Sequence, residues 1–190
     1  MKKLIIVSVL VVYCLSTEII VGQTTENSII DVILSGYTAR KMATEPVTDS
    51  QIDLILKCGM KAPSARNSQL WKFTVVKDNT LAGKIIPNIT PGNILIVVSG
   101  QETGQDGINV DFDCALATEN MFIAAQALGL GGHIYGGPVK NVNSTLKPDL
   151  GIAEGYRVIT ILLIGNIEKP VDAVSSASTR KKMEEVVNYK

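Results

Sequence analysis

Ala62-Pro63-Ser64-Ala65-Arg66-Asn67-Ser68-Gln69-Leu70-Trp71 is the stretch on which the fold turns. Proline has no amide hydrogen and its ring clashes with the preceding helical turn, so a helix arriving from Thr48 must stop before Pro63. Thr48 to Lys61 supplies that helix. Thr48 with Gln51 three residues later reads as a capping box, and Ile52, Ile55, Leu56 and Gly59 share one face. Beyond Leu70 the period changes: Trp71 to Lys77 alternates and is rich in strand formers. Between helix and strand, Asn67 and Gln69 offer amide donors and acceptors. Such groups suit a planar heterocycle carrying carbonyls and ring N–H groups, and they also serve an ordinary turn.

Working outward, Ile29, Ile30, Ile33 and Leu34 recur at helical spacing and end at Gly36, which predicts a first helix closed by a glycine cap. Ile94 to Ser99 is an unbroken apolar run, the mark of a central strand covered on both faces. A short helix ended by Pro87 fits between the two strands. Asp111 to Leu130 predicts the longest helix, with Phe112, Leu116, Ile123, Ala127 and Leu130 along one face. Arg157 to Gly165 is a third apolar strand, and Thr179 to Tyr189 closes the chain as a charged helix. Val171 to Ser178 is small and polar, a linker that lets the terminal segment reach a neighbouring subunit.

The chain has 190 residues, 46% of them hydrophobic, which suits one domain with a real core. Lys plus Arg and Asp plus Glu both number 18, and the basic clusters are short, which argues against nucleic acid as a partner. Residues 1–22 read as a cleaved export signal: Lys2 and Lys3, the apolar run Leu4 to Leu15, then a small residue before a cut at Gly22/Gln23. This leaves 23–190 as the mature domain, bound for the periplasm or the exterior. An uncleaved anchor needs about 20 apolar residues, and Glu18 with its polar neighbours argues against it. Cys14 follows the bulky Tyr13, which disfavours a lipoprotein signal. Cys58 and Cys114 cannot form a disulfide lattice, and each sits among apolar neighbours where it packs as a small hydrophobe.

Three further segments are more polar or glycine-rich than packing requires. In Gly36-Tyr37-Thr38-Ala39-Arg40-Lys41 a hydroxyl and a guanidinium at i and i+2 of an extended turn can face one phosphate, or line a solvated loop. Gly129-Leu130-Gly131-Gly132-His133-Ile134-Tyr135-Gly136-Gly137 follows a helix and lacks the sixth-position glycine, so it fails as a dinucleotide fingerprint. Its glycines allow close backbone approach to a flat ligand, or a tight turn. Arg180-Lys181-Lys182 is the fourth polar place. His133, the sole histidine, has no cysteine or carboxylate cluster beside it to build a metal site or a nucleophile, so it is expected to be a turn residue rather than a catalytic one.

Together these segments resemble the nitroreductase family of FMN enzymes. Ala62 to Trp71 is similar to that family's helix-end motif. Glu119-Asn120-Met121 with Ala124 to Gly131 resembles its central helix, and Gly155-Tyr156-Arg157, Ile164-Gly165, Arg180 and Glu184 to Val187 resemble its closing section. The resemblance implies an α+β fold, a three-layer α/β/α sandwich around a central mixed sheet, in an obligate homodimer. It implies that Tyr37, Thr38 and Arg40 meet the FMN phosphate end with Arg180, and that Pro63, Ser64, Asn67 and Gln69 approach the flavin from the partner subunit. Tyr135 and Gly136 then aim backbone N–H groups at the ring.

The implied activity is a two-electron ping-pong cycle. NADH, NADPH or another donor reduces the flavin and leaves, and a nitroaromatic, quinone or similar acceptor is reduced. No catalytic side chain is implied, since flavin N5 carries the chemistry. Two positions depart from the pattern, with Gly36 where the family has arginine and Leu70 where it has proline. The stretch from Trp71 to Asp111 is short and leaves little room for a lid. Those departures sustain an alternative, an exported flavin carrier or sensor without turnover.

Overall fold

Ile94 to Gln101, expected to be a strand covered on both faces, is the middle of the molecule. In the computed structural model, which describes residues 26–102, 108–170 and 179–190, its residues from Ile94 to Gly100 are all buried. The elements in chain order are α1 (Glu26–Ser35), α2 (Asp49–Met60), a 3-10 turn (Ala65–Asn67), β1 (Trp71–Val76), α3 (Asn79–Ile85), β2 (Ile94–Gln101) and α4 (Val110–Ala127). Then come β3 (Leu130–Tyr135), α5 (Val139–Asn141) running into a π turn (Val142–Leu146), β4 (Tyr156–Asn166) and a single-turn α6 (Met183–Val186).

The four strands form one sheet in the order β1-β2-β4-β3. Side chains alternate across it. Ile94, Ile96 and Val98 of β2, with Leu162 and Ile164 of β4, meet α2 and α4 on one face. Leu95, Val97, Ile161 and Leu163 meet Ala82 and Ile85 of α3 and Val142, Leu146 and Leu150 on the other. This is the expected three-layer α+β sandwich.

The expectation of a mixed sheet needs correction. Among the described residues all three strand pairings are antiparallel, and the parallel element is a single bridge between Thr38 and Gly132. The reason is connectivity: the chain reaches Thr38 from α1 and touches the outer side of β3 for too short a distance to build a strand.

Most element boundaries follow the local signals. The Thr48 capping box is present, with Gln51 N–H donating to Thr48 Oγ1 at 3.3 Å and Thr48 N–H donating to Gln51 Oε1 at 3.0 Å. Gly129, at φ 76°, ends α4 in the left-handed conformation that glycine tolerates.

Three further expectations fail. Gly36 is not a left-handed cap, since it is absent from the positive-φ glycines. The Gly129 to Gly137 segment, for which the sequence leaves both a close approach to a ligand and a tight turn open, is largely the edge strand β3. The terminal helix shrinks from Thr179–Tyr189 to Met183–Val186; Met183, Val186 and Val187 are exposed, so among the described residues little apolar burial supports a longer helix. Cys114 is buried, but Cys58 is exposed on α2 rather than packed. The signal segment 1–22 and the linker 171–178 lie outside the described residues.

Candidate functional site

The segment from Tyr37 to Ala43 is fastened along β3 and the end of β4. Ala39 N–H donates to Gly132 O at 3.0 Å and Ala43 N–H to Asn166 O at 2.8 Å, while Tyr37 N–H donates to Gln126 Oε1 of α4 at 3.1 Å. Ala39 and Met42 are buried. In an extended segment whose middle residue turns inward, the flanking residues lie on the other side, so Thr38 and Arg40 share the outer side as the i, i+2 spacing predicts.

Two aromatic rings of β3 stand beside Arg40. His133 and Tyr135 stack with centroids 3.9 Å apart. Burial and the Arg40 charge hold His133 below its usual 6.5, against a hydrogen bond with the Ala39 backbone that pulls it up. Burial raises the Tyr135 hydroxyl, against Arg40, which lowers it.

The lowered His133 value has a measurable consequence. The unfolded chain takes up that proton first as pH falls, so stability declines from about pH 6.5 down through the lowered folded value and is unaffected above that range. The apo protein is expected to lose more stability than His133→Phe between pH 7.5 and about pH 5. Urea denaturation at the two values measures it, and equal losses contradict the assignment.

Gly36, the first departure from the family pattern, now has a physical reason. A Cβ there would lie 3.0 Å from Gln126 Oε1 and 3.1 Å from Val32 O. A larger residue would press on the amide that holds the Tyr37 backbone.

The second polar segment is wound tightly. Gln69 N–H donates to Ser64 Oγ at 3.1 Å, and Gln69 Nε2 donates to Asn67 Oδ1 at 3.1 Å. Arg66, Asn67 and Gln69 all hold positive φ, at 55°, 53° and 49°. Non-glycine residues rarely adopt that conformation, and it concentrates where surroundings impose it. Pro63, Asn67 and Gln69 are exposed and Ser64 is half-buried. One contact that the sequence did not suggest enters from α4: Ala65 N–H donates to the buried Asp113 carboxylate.

Within one chain the two segments do not meet. Ser64 to Gln69 precedes β1 at one edge of the sheet, and Thr38 lies beyond β3 at the other. Three strand spacings separate those edges by roughly 14 Å. Through the ladders, Trp71 stands level with Arg157 of β4 and Thr38 level with Ile164, about 20 Å apart along the strand. They occupy opposite corners.

Tyr135 and Gly136 fall at the end of β3, on the side of Thr38. A Cβ on Gly136 would meet nothing within 4 Å, which leaves open space there. Arg180 donates to its neighbour Thr179 O at 3.3 Å and is exposed. Among the described residues no group of three or more His, Cys, Asp or Glu is placed to hold a metal ion.

An apolar groove of about 480 Å³ is lined by Ile29 and Ile33 of α1, Leu54 and Cys58 of α2, and Ile123 and Ala124 of α4. Ile29, Ile33 and Leu54 are 59%, 53% and 50% exposed, so a continuous apolar face stands in water.

A three-layer α+β sandwich with this antiparallel sheet, and with polar segments after α1 and α2, is the fold of flavin-dependent nitroreductases. It aligns with a nitroreductase with bound FMN from Desulfitobacterium hafniense at a TM-score of 0.71 and 22% identity, covering 86% of this chain and 98% of that one. The model of the nitroreductase family matches residues 33–91.

A protein of Archaeoglobus fulgidus, named as a proposed NADH dehydrogenase/NAD(P)H nitroreductase, is 32% identical over 141 residues, 68% of this chain and 81% of the relative. An NADPH-flavin oxidoreductase of Vibrio harveyi is 26% identical over 161 residues, 74% of this chain and 66% of its own length. The chain belongs to the nitroreductase family.

Proposed function

We propose that the protein is an exported FMN oxidoreductase that works as a homodimer, taking electrons from NADH or NADPH and passing them to a nitroaromatic, quinone or similar acceptor in a ping-pong cycle. The observation that carries this reading is the placing of two polar segments at opposite corners of one sheet, with an exposed apolar face of α1, α2 and α4. Helix α1 leads into one segment and α2 into the other. A two-fold axis through the apolar face exchanges its ends, bringing Ser64–Gln69 of one chain towards Thr38–Arg40 of its partner. The basic, then apolar order of residues 1–22 supports export.

The residues present fit FMN. Thr38 and Arg40, on one side of an extended segment, would hold the phosphate with Tyr37 beside them, and Arg180 would add charge from the far end of the chain. Pro63, Ser64, Asn67 and Gln69 would border the flavin, with the two amides matching its carbonyl and N–H edge. The open space at Gly136 admits a flat ring to the backbone next to Tyr135. Bound FMN supplies the two-electron redox chemistry. The chain's part is orientation, together with backbone donors directed where negative charge accumulates on reduction.

The mature protein, reconstituted with FMN and freed of excess, is expected to show a flavin absorbance band that bleaches when NADH or NADPH is added without oxygen. A yellow protein whose colour persists makes it a carrier, and a protein that stays colourless overturns the reading.

A further inference from the structure

We propose that Asp113 is a positioning residue for the flavin: from the first turns of α4 its carboxylate grips the backbone of the Ser64–Gln69 loop and fixes how Ser64, Asn67 and Gln69 face the cofactor. The inference rests on the reading above that this loop meets FMN. Asp113 is 2% exposed, and its two oxygens lie 3.2 and 3.1 Å from Ala65 N. A carboxylate removed from water this fully is costly unless it is compensated. The Ala65 amide compensates it, and so does the N-terminal end of α4, whose field favours negative charge. An apolar side chain of similar size would fill the space without that cost, so packing alone does not account for an acid here.

The loop needs an outside hold because its local preferences oppose its shape. Three non-glycine residues sit at positive φ, each a conformation that persists only where the surroundings over-determine it. Its internal bonds, Gln69 N–H to Ser64 Oγ and Gln69 Nε2 to Asn67 Oδ1, close the loop on itself without tying it to the body. The bond from Ala65 to Asp113 ties it to a helix 48 residues further along the chain. That helix also lines the apolar face across which the partner is proposed to lie. One carboxylate thus links the shape of the loop to the surface that presents it to the second chain.

The test uses the full dimeric protein and two variants, Asp113→Ala and Asp113→Asn, the second keeping one acceptor oxygen. Two quantities are read: amide hydrogen exchange of residues 65–69, and the FMN dissociation constant from quenching of flavin fluorescence. Dimer mass and exchange in α2 and α4 serve as controls. For Asp113→Ala we expect exchange in the loop at least about tenfold faster and FMN binding at least about tenfold weaker, with the controls unchanged and Asp113→Asn in between. If Asp113→Ala does not fold, Asp113→Asn decides by the same two readings.

Unchanged loop exchange overturns the proposal, and so does faster exchange with unaltered FMN binding. A wild-type protein that takes up no FMN, while loop exchange still quickens in Asp113→Asn, overturns the flavin reading and leaves the hold on the loop standing.

Discussion

Arg40→Ala is expected to weaken FMN binding by about ten- to a hundredfold, the effect of losing one charge-assisted hydrogen bond worth about 1.5 to 3 kcal/mol. Arg40 is exposed, and the neighbouring Ala39 and Met42 do the packing, so the loss of FMN affinity is expected to exceed any change in stability. Arg40→Lys restores the charge but not the planar fork and should recover only part of the affinity. Fluorescence titration of the apo protein with FMN checks both variants. Equal affinity in wild type and Arg40→Ala places the phosphate elsewhere.

A charge on the apolar face has the larger effect. Ile33→Glu is expected to give a folded monomer that retains no FMN, because a carboxylate buried between two chains without a partner costs several kcal/mol. Ile33 stands half in water in the single chain, so the monomer itself tolerates the change. Light scattering after gel filtration gives the mass, and the absorbance of the same peak gives the flavin. A monomer that keeps its flavin shows one chain to be sufficient.

Sharing of the site can be read separately by mixing Arg40→Ala chains with Asn67→Ala chains and letting the subunits exchange. Each mixed dimer then carries one doubly defective site and one intact site, so about a quarter of all sites regain wild-type affinity. No recovery on mixing means that Arg40 and Asn67 of one chain serve the same site.

How much of this was legible in the sequence depended on whether the cause was local. The Thr48–Gln51 capping box, the stop at Pro63 and the apolar runs at Ile94 and Arg157 act within a few residues, and they set α2, β2 and β4 nearly to their observed ends. Strand β3 was missed because Gly131 and Gly132 have no side chains to show alternation. Their reason lies in other elements: a Cβ at Gly131 would come within 2.7 Å of Ala39 Cβ, and one at Gly132 within 2.6 Å of Phe122 Cδ2.

The same holds at the site. The hydroxyl and guanidinium of Thr38 and Arg40 could be read from their spacing, and so could the amides of Asn67 and Gln69. The bond from Asp113 to Ala65 and that from Gln126 to Tyr37 span 48 and 89 residues, and nothing nearby in the chain announces them.

With the two polar corners split across one sheet, a site completed only by a second chain would tie cofactor retention to protein concentration. If neither chain alone encloses FMN, ligand and subunit stabilise each other by mass action, each raising the other's apparent affinity by the same factor. Dilution then releases flavin and partner together, and excess FMN drives reassociation. The colour of a dilute solution thereby becomes a direct reading of how many chains remain paired.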